Sequence, residues 1–157
     1  MGIGYDLHRL ELGGPLRIGG VSIPHDRGSI GHSDGDALLH AVIDALLGAA
    51  ALGDVGLMYP DTDPENRNRD SGEMLSGALE SIKLLGWDII NIDCIVFAQR
   101  PKLLTHRQSI RQRLADLLNI EVERVGLQAK TGEGVGAIGN EEAIAAQCVA
   151  LLGAGEE

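Results

Sequence analysis

An aspartate and two histidines are the residues of this chain whose types and spacing are best suited to chemistry. Asp6 and His8 stand two positions apart in the opening segment, MGIGYDLHRL, so a strand places both on one face. His40 lies one helical turn after Asp36 and one before Asp44, so a helix carries it between two carboxylates. Two histidines and a carboxylate suffice for a three-ligand zinc site with an open fourth position. The spacing leaves two alternatives open, a solvated polar strand face and a histidine satisfied by other partners.

Two further segments carry groups that suit phosphate, sugar or cation binding. His32 and Ser33 precede a predicted helix, whose free N–H groups and dipole favour an anion such as phosphate. The alternative is that Ser33 only caps the helix. The following loop, GDVGLMYPDTD, offers Asp54, Asp61 and Asp63, which suit sugar hydroxyls or a hard cation. The alternative there is a solvated acidic loop.

The turn AQRPKLL places Arg100 and Lys102 around a proline at the end of a predicted strand. Exposed backbone groups in such a turn can read a base edge or contact a phosphate. The alternative is an ordinary connection from a strand to a helix.

The glycine-rich segment KTGEGVGAIG contains the pattern G-x-G-x-x-G, which occurs in dinucleotide-binding loops. That fold needs a second parallel strand after the glycines and their helix, with an acidic residue about 20 positions further on. Here the apolar pattern over residues 144–152 predicts a helix, and only GAGEE follows it, so we reject the dinucleotide interpretation. Thr131 and Glu133, at the end of the preceding strand, remain candidates for contact with phosphate.

The elements that must position these residues follow the predicted order β-β-α-α-β-α-β-α. Strands are predicted at about 1–10 and 16–24, and a helix begins at an N-cap of Ser33 or Asp34 and ends at Gly53. After a loop over 53–70, the pattern predicts a helix at 72–85, a strand at 88–99, a helix to about 118, a strand before Lys130 and the last helix. This order predicts a single α+β domain over residues 1–157, a mixed sheet with helices packed mainly on one face.

Composition excludes some classes of function. The formal net charge of -10 and the isoelectric point of about 4.8 disfavour binding to nucleic acid or to an anionic membrane. No apolar run approaches the roughly 20 residues that span a bilayer. Cys94 and Cys148 stand singly in apolar runs and the first residues do not resemble a signal peptide, so we expect a reduced, cytoplasmic protein. With 22 glycines and only 3% aromatic residues, the core must be aliphatic, and such small cores often lean on a neighbouring subunit.

Read together, YDLH, HSDGDALLH, GDVGLMYPDTD, AQRPKLL and KTGEGVGAIG resemble the 2-C-methyl-D-erythritol 2,4-cyclodiphosphate synthases of the non-mevalonate isoprenoid pathway, in order and over essentially the whole chain. The resemblance implies a homotrimer with its sheets around a central channel and three active sites at subunit interfaces. It implies a lyase that converts 4-diphosphocytidyl-2-C-methyl-D-erythritol 2-phosphate to the 2,4-cyclodiphosphate and releases CMP by metal-assisted intramolecular phosphoryl transfer.

The same resemblance implies roles for individual residues. Asp6, His8 and His40 resemble the zinc ligands, and Glu133 resembles the ligand of a second cation, Mg²⁺ or Mn²⁺. His32 and Thr131 resemble groups that stabilise the transition state. The implied substrate-binding residues are Asp6, Leu7, His8, His32, Ser33, Asp54, Val55, Gly56, Tyr59, Pro60, Asp61, Thr62, Asp63, Ala98, Gln99, Arg100, Pro101, Lys102, Leu103, Leu104, Lys130, Thr131, Gly132 and Glu133.

Four positions depart from the family pattern. Lys130 and Gly132 stand where threonine is common, and Lys130 offers a charge instead. Ala137 and Asn140 stand where an aromatic residue and an arginine often line the central cavity, so we expect no tight binding of an isoprenoid diphosphate there.

Two other functions use the same residues. A zinc-dependent phosphohydrolase would use Asp6, His8 and His40 to activate water. A trimeric binding module without catalysis would leave the histidines and the acidic loop as solvated surface.

Overall fold

A five-stranded mixed sheet forms the centre of the computed structural model, which describes residues 1–31 and 33–155. The strands of this sheet and of a separate two-stranded hairpin are β1 (Gly2–Leu12), β2 (Leu16–Ile18), β3 (Val21–Ile23), β4 (Arg27–Ile30), β5 (Trp87–Phe97), β6 (Val125–Lys130) and β7 (Ala143–Ala154). The order in the large sheet is β4-β1-β7-β5-β6, and β2 pairs with β3 in the hairpin. Only β5 and β6 run parallel among the paired strands.

Three helices of 12 to 14 residues pack against one face of this sheet. The helices are α1 (Ala37–Ala49), α2 (Val55–Met58), α3 (Ser71–Leu84), α4 (Arg107–Leu118) and α5 (Gly136–Gly139), with 3₁₀ turns at Pro64–Asn66, Leu103–His106 and Val122–Arg124. Helix α1 lies over β1 and β7, α3 packs beside α1, and α4 covers β6. The predicted α+β class, a mixed sheet with helices mainly on one face, is confirmed.

Helix α1 approaches β1 unusually closely, because two glycines lie beneath it. A Cβ atom on Gly2 would overlap the backbone of Ala45 and Ala49, and one on Gly4 would overlap the carbonyl oxygen of Ala41. Only glycine fits where two backbones meet in this way. The close contact brings the side chains of β1 that follow these glycines against the next turns of α1.

The outer face of the sheet carries exposed apolar side chains. On β1, Ile3 and Tyr5 are 63% and 57% exposed, and Leu7 follows them on the same face. On β7, Val149 is the direct partner of Ile3 and lies beside Leu151, and both are exposed. Adjacent apolar side chains of this number on one face of a sheet are typical of an interaction surface.

The two cysteines face the helices instead. Cys94 of β5 and Cys148 of β7 are direct cross-strand partners, and both are fully buried as free thiols. The hydrogen bond with Cys148, together with burial, raises the pKa of the Cys94 thiol. Among the described residues, no helix combines the length and the apolar character needed to cross a membrane.

The prediction of a final helix over residues 144–152 was wrong, because this segment is strand β7. Its Ala and Leu residues favour a helix locally. However, β7 is the central strand, it pairs with both β1 and β5, and α1 covers one of its faces. A strand buried in this way reads as a continuous apolar run, which periodicity alone does not distinguish from a helix.

The short helix α5 and the direction of β7 exclude a dinucleotide-binding fold. The glycines lead into α5, which has only four residues, and then into β7, which is antiparallel to both of its neighbours. A dinucleotide-binding unit needs a full helix followed by a parallel strand. The fold remains excluded, although the terminal helix on which we based the exclusion does not exist.

Three other local predictions also need correction. The N-cap of α1 is Asp36, whose carboxylate accepts the Leu39 N–H at 3.0 Å, and neither Ser33 nor Asp34 takes that place. The helix ends at Ala49 and not at Gly53. The predicted second strand is the β2–β3 hairpin, and β4 was missed because its four residues carry little apolar pattern.

Candidate metal centre

Asp6, His8 and His40 converge at one point between β1 and α1. One potential ligand atom from each of the three residues lies within 4.8 Å of the other two. Oδ2 of Asp6 is 2.9 Å from Nδ1 of His8 and 3.0 Å from Nδ1 of His40. The alternation of β1 turns Asp6 and His8 toward the helix, so the polar face of the strand is covered rather than solvated.

The three side chains fit a metal ion by their chemistry and by one unsatisfied atom. Two imidazoles and a carboxylate form a common donor set for zinc in catalytic sites. Nδ1 of His8 is buried and has no hydrogen-bond partner of good geometry among the described residues, although Asp6 is near. A buried polar atom in this state is costly unless another partner takes it. A cation shared with Asp6 and His40 would satisfy it.

The charges of the cluster are strongly coupled. Burial raises the pKa of the Asp6 carboxyl, but the hydrogen bond from His40 and the adjacent His8 outweigh it, so the net pKa is well below the usual range. Burial lowers the pKa of His40, but the hydrogen bond to Asp6 and the charge of that carboxylate raise it above its ordinary value. The carboxylate therefore stays negative and attracts a positive charge, either a proton or a metal ion.

The opposite edge of the His40 ring is also held. Its Nε2 atom lies 3.0 Å from the hydroxyl of Ser33 and 3.0 Å from the hydroxyl of Ser71, the first residue of α3. Asp36 and Asp44, which the helical spacing placed beside His40, have other partners. Asp36 accepts N–H groups from the turn between β2 and β3, and Asp44 accepts the Val55 N–H at 2.7 Å.

A cavity of about 330 Å³ opens beside the cluster. It collects nine of the residues predicted to bind metal or substrate, namely Asp6, Leu7, His8, Ser33, His40, Val55, Gly56, Tyr59 and Asp61. The lining also includes Met74, whose carbonyl accepts the Tyr59 hydroxyl at 3.3 Å. His32, which was also predicted for this region, lies outside the described residues.

The acidic loop is folded rather than irregular. Asp54 caps α2 by accepting the Leu57 N–H at 2.8 Å, and Asp63 caps the turn that follows by accepting the Glu65 N–H at 3.0 Å. Asp61, Thr62 and Asp63 line a small hollow in this loop. The Pro60 carbonyl accepts a hydrogen bond from the side-chain amide of Asn66. Asp61 and Asn66 line both this hollow and the cavity at the cluster.

A second cavity, of about 470 Å³, lies beside β6, the edge strand farthest from β1 on this side of the sheet. Its predicted members are Ala98, Pro101, Lys102, Leu103, Leu104, Lys130 and Thr131, and the sequence had not indicated Arg107, which also lines it. This cavity shares no lining residue with the one at the cluster. Across the sheet, Leu7 pairs with Ala145, Ala145 with Phe97, and Phe97 with Lys130. Leu7 of the first cavity and Lys130 of the second are thus three strand spacings apart, about 14 Å.

Two predicted residues of this region point their side chains elsewhere. The side-chain oxygen Oε1 of Gln99 accepts the backbone N–H groups of Gly132 and Gly134 at 3.2 and 3.3 Å, so it supports the glycine-rich loop. Arg100 pairs with Glu141, with 2.8 Å between Nε and Oε1. Neither residue lines the cavity.

Thr131 and Glu133 lie together on the exposed side of this loop. The Thr131 hydroxyl donates to Glu133 Oε1 at 3.0 Å, and the Glu133 N–H donates back to that hydroxyl at 3.3 Å. Glu133 has a left-handed backbone with φ of 52°. The Glu133 carboxylate is therefore exposed next to Thr131, which lines the second cavity. It is not part of the Asp6–His8–His40 group.

The fold and the cluster together define a class: an α+β protein with an Asp-His-His group that could hold a metal ion beside a cavity. Residues 1–153 match the YgbB family, and the chain belongs to that family. A protein of Rhodopirellula baltica named 2-C-methyl-D-erythritol 2,4-cyclodiphosphate synthase is 51% identical over 152 residues, which are 97% of this chain and 92% of that relative. The resemblance inferred from the sequence is confirmed.

Solved structures agree with the sequence comparison. A 2C-methyl-D-erythritol-2,4-cyclodiphosphate synthase superposes with a TM-score of 0.91 at 42% identity, covering 97% of this chain and 99% of the other. A second structure of such a synthase, described as the form bound to CDP, gives a TM-score of 0.90 at 41% identity over the same shares of the two chains.

Proposed function

We propose that this chain converts 4-diphosphocytidyl-2-C-methyl-D-erythritol 2-phosphate to 2-C-methyl-D-erythritol 2,4-cyclodiphosphate and CMP. The observation that carries the proposal is the Asp6–His8–His40 cluster beside a cavity, in a chain that belongs to the YgbB family. An oxygen of the 2-phosphate attacks the β-phosphorus, and the bond from that phosphorus to the CMP oxygen breaks. An eight-membered cyclic diphosphate forms, and no water is consumed.

The reaction joins two anionic groups, so its barrier depends on charge and alignment. In our proposal Asp6, His8 and His40 hold Zn²⁺, and Glu133 holds Mg²⁺ or Mn²⁺. When bound, these cations supply positive charge that stabilises the negative charge of the transferring phosphoryl group. The low pKa of the Asp6 carboxyl supports this assignment, because the carboxylate stays available as a ligand at neutral pH.

The chain's own polar groups then orient the phosphates. We assign the hydroxyls of Ser33 and Thr131 to donate hydrogen bonds to the phosphate oxygens, and His32 and Thr131 to stabilise the transition state. Fixed donors of this kind need no reorganisation during the reaction. Ser33 lines the cavity at the cluster and Thr131 lines the second cavity, which supports contacts from two sides.

The remaining predicted residues divide between the parts of the substrate. We assign Asp54, Val55 and Gly56 to the ribose, residues 59–63 to the methylerythritol, and residues 98–104 to the cytosine. The CDP-bound form of a 41% identical synthase supports a cytidine nucleotide as the ligand. Lys130 lines the second cavity and adds a positive charge near the diphosphate.

We further propose that the chain is a homotrimer whose active sites lie between subunits. The two cavities that hold the predicted residues share no lining residue, so one chain offers two half-sites. The exposed apolar face formed by β1 and β7 supports an assembly in which the sheets face a common centre. In the trimer, the cluster of one subunit would face the second cavity of its neighbour.

Phosphorus NMR of the purified chain with the cytidylyl substrate, Zn²⁺ and Mg²⁺ tests the reaction. We expect the substrate signals to be replaced by the two coupled signals of a cyclic diphosphate, with one CMP released for each turnover. The His40→Ala variant provides the matched blank. Linear phosphates or free orthophosphate in place of the cyclic product would instead identify a phosphohydrolase.

A further inference from the structure

We propose that Asp34 and Ser71 form a positioning pair that fixes His40 as a metal ligand through Nδ1. This inference rests on the zinc site of the proposed function and adds two residues to it. Neither residue was predicted to lie at the site: Asp34 was considered only as a helix-cap candidate, and Ser71 precedes the helix predicted at 72–85. In the structure, both lie behind the His40 ring, on the side away from Asp6.

The contacts form a short chain from a carboxylate to the imidazole. The Ser71 hydroxyl donates a hydrogen bond to Asp34 Oδ1, and the Ser71 backbone N–H donates to Oδ2 of the same carboxylate at 3.0 Å. The same hydroxyl oxygen lies 3.0 Å from Nε2 of His40. Ser71 is fully buried and His40 is only 8% exposed, so water does not compete for these groups.

The direction of these hydrogen bonds determines which nitrogen of His40 is free. A carboxylate accepts hydrogen bonds and a serine hydroxyl has one hydrogen to donate. Because Ser71 gives that hydrogen to Asp34, its oxygen can only accept from His40, and Nε2 must carry a proton. In the metal-free chain Nδ1 also carries a proton and donates it to Asp6. A metal ion that takes the place of this proton binds the Nδ1 lone pair, while the proton on Nε2 stays. Nδ1 is the atom that lies 3.0 Å from Asp6, where the metal would bind.

Asp34 is itself held in place from two other directions. Its Oδ1 accepts the Asp36 N–H at 3.2 Å, and its Oδ2 lies 3.7 Å from the guanidinium of Arg17. Arg17 also lies 3.6 Å from Asp70, the residue that caps α3. The hairpin, α1 and α3 therefore meet at Asp34, and its carboxylate has a fixed orientation toward Ser71.

The arrangement has a consequence for Ser33, whose hydroxyl also lies 3.0 Å from Nε2. A protonated Nε2 has no lone pair to accept a hydrogen bond, so Ser33 can only accept there. Its own hydroxyl hydrogen is then left for another acceptor. Ser33 lines the cavity at the cluster, where a substrate phosphate would provide that acceptor.

The test compares zinc binding by metal-free full-length chains, without substrate, in competition with a chelating dye. We expect Ser71→Ala and Asp34→Asn each to weaken zinc binding about 10- to 100-fold, as changes behind a metal-bound histidine do. Asn replaces one of the two carboxylate oxygens by an NH2 donor, so it cannot accept at both of the positions that Ser71 uses. Ser76→Ala is the matched control in the same helix, since the one hydrogen bond of the Ser76 hydroxyl among the described residues is to the Gly72 carbonyl. We expect it to bind zinc as the unchanged chain does.

A second measurement reads the ring directly. In proton–nitrogen correlation spectra of the zinc-loaded, histidine-labelled chain, we expect His40 to carry a proton on Nε2 and the metal on Nδ1. Metal on Nε2 would overturn the inference, and so would Ser71→Ala and Asp34→Asn chains that bind zinc within about twofold of Ser76→Ala. If Ser71→Ala does not fold, Asp34→Asn and the ring measurement decide. An unchanged chain that binds no zinc would overturn the zinc site of the proposed function, and this inference with it.

Discussion

Gly4 of β1 lies against the carbonyl oxygen of Ala41 in α1, with no room for a side chain between the two backbones. Asp6 lies two positions later on the same face of β1. In α1, His40 directly precedes Ala41, and the helix cap Asp36 binds the N–H of the preceding Leu39. The close approach at Gly4 therefore sets the distance of 3.0 Å between Oδ2 of Asp6 and Nδ1 of His40. The three side chains of the candidate metal centre are thus brought together by backbone packing, without a metal ion.

We expect Gly4→Ala to lower the free energy of unfolding by about 2–4 kcal/mol, because a backbone carbonyl cannot move aside as a flexible side chain can. It should also weaken zinc binding, since β1 and α1 must separate. Gly48→Ala is the control: its added Cβ would be 3.9 Å from its nearest neighbour, the Ile3 carbonyl, and alanine favours the helix. Denaturant titration of both variants measures the difference, and equal stabilities would contradict the argument.

Zinc should stabilise the folded chain through its three ligands. A ligand that binds only the folded state adds about 2.7 kcal/mol to the free energy of unfolding at a concentration 100 times its Kd. We expect calorimetry to show a higher Tm with zinc, reversed by a chelator, for the unchanged chain and for His106→Ala. The His8→Ala chain should show little shift. A full zinc shift in His8→Ala would exclude His8 as a ligand.

Glu133 should matter to the second cation and not to zinc. Because its carboxylate is exposed beside Thr131 and apart from the cluster, we expect Glu133→Gln to reduce kcat about 10- to 100-fold at fixed Mg²⁺. Zinc affinity should be unchanged. Glu80→Gln, which replaces an exposed carboxylate on α3, is the control for the loss of charge. Full activity of Glu133→Gln at limiting Mg²⁺ would remove this residue from the site.

Active sites between subunits can be detected by mixing two inactive chains. His40→Ala damages the cluster and Thr131→Val damages the second cavity, so each homotrimer should be inactive. After the two are unfolded and refolded together in equal amounts, about one quarter of the sites combine two intact halves, and activity should return in proportion. Chains refolded separately and then mixed are the control. If co-refolding restores no activity, each site is formed within a single chain.

The carboxyl of Asp44 should limit stability at neutral pH. Burial raises the pKa of this group, despite the hydrogen bond from the Val55 N–H. A pKa raised by folding contributes stability that is complete below the unfolded-state pKa and is lost as the pH rises through the folded-state value. We therefore expect Asp44→Asn, whose amide oxygen can still accept the Val55 N–H, to raise Tm at pH 7 but not below about pH 3.9. Asp116→Asn, which makes the same replacement at an exposed position of α4, is the control.

The sequence predicted best where a pattern repeats along a single element. The period-two alternation of β1 placed Asp6 and His8 on one face, and the three- and four-residue spacing of α1 placed His40 on a helix. Their convergence needed the family resemblance, because the glycine contacts that join β1 to α1 act between elements far apart in sequence. The last strand failed for a related reason, since its burial by two strands and a helix overrides the helical preference of its alanines.

The residues behind the site had no local signal at all. Ser71 is the first residue of α3 and lies 31 positions from His40, and its contact with Asp34 depends on how α3 docks beside α1. Gln99 is similar, because Gly132, in the glycine-rich loop that its side chain holds, lies 33 positions later. Contacts between distant segments of this kind follow from the tertiary arrangement and not from residue spacing.

Strand β1 serves the metal centre with one face and the exposed apolar surface with the other, residue by residue. Asp6 and His8 point to α1, while Tyr5 and Leu7 point away from it. A deletion or insertion of one residue before Tyr5 would exchange the two sets, turning the ligands outward and driving the apolar side chains under the helix. We therefore expect any one-residue shift in β1 to abolish metal binding and subunit association together.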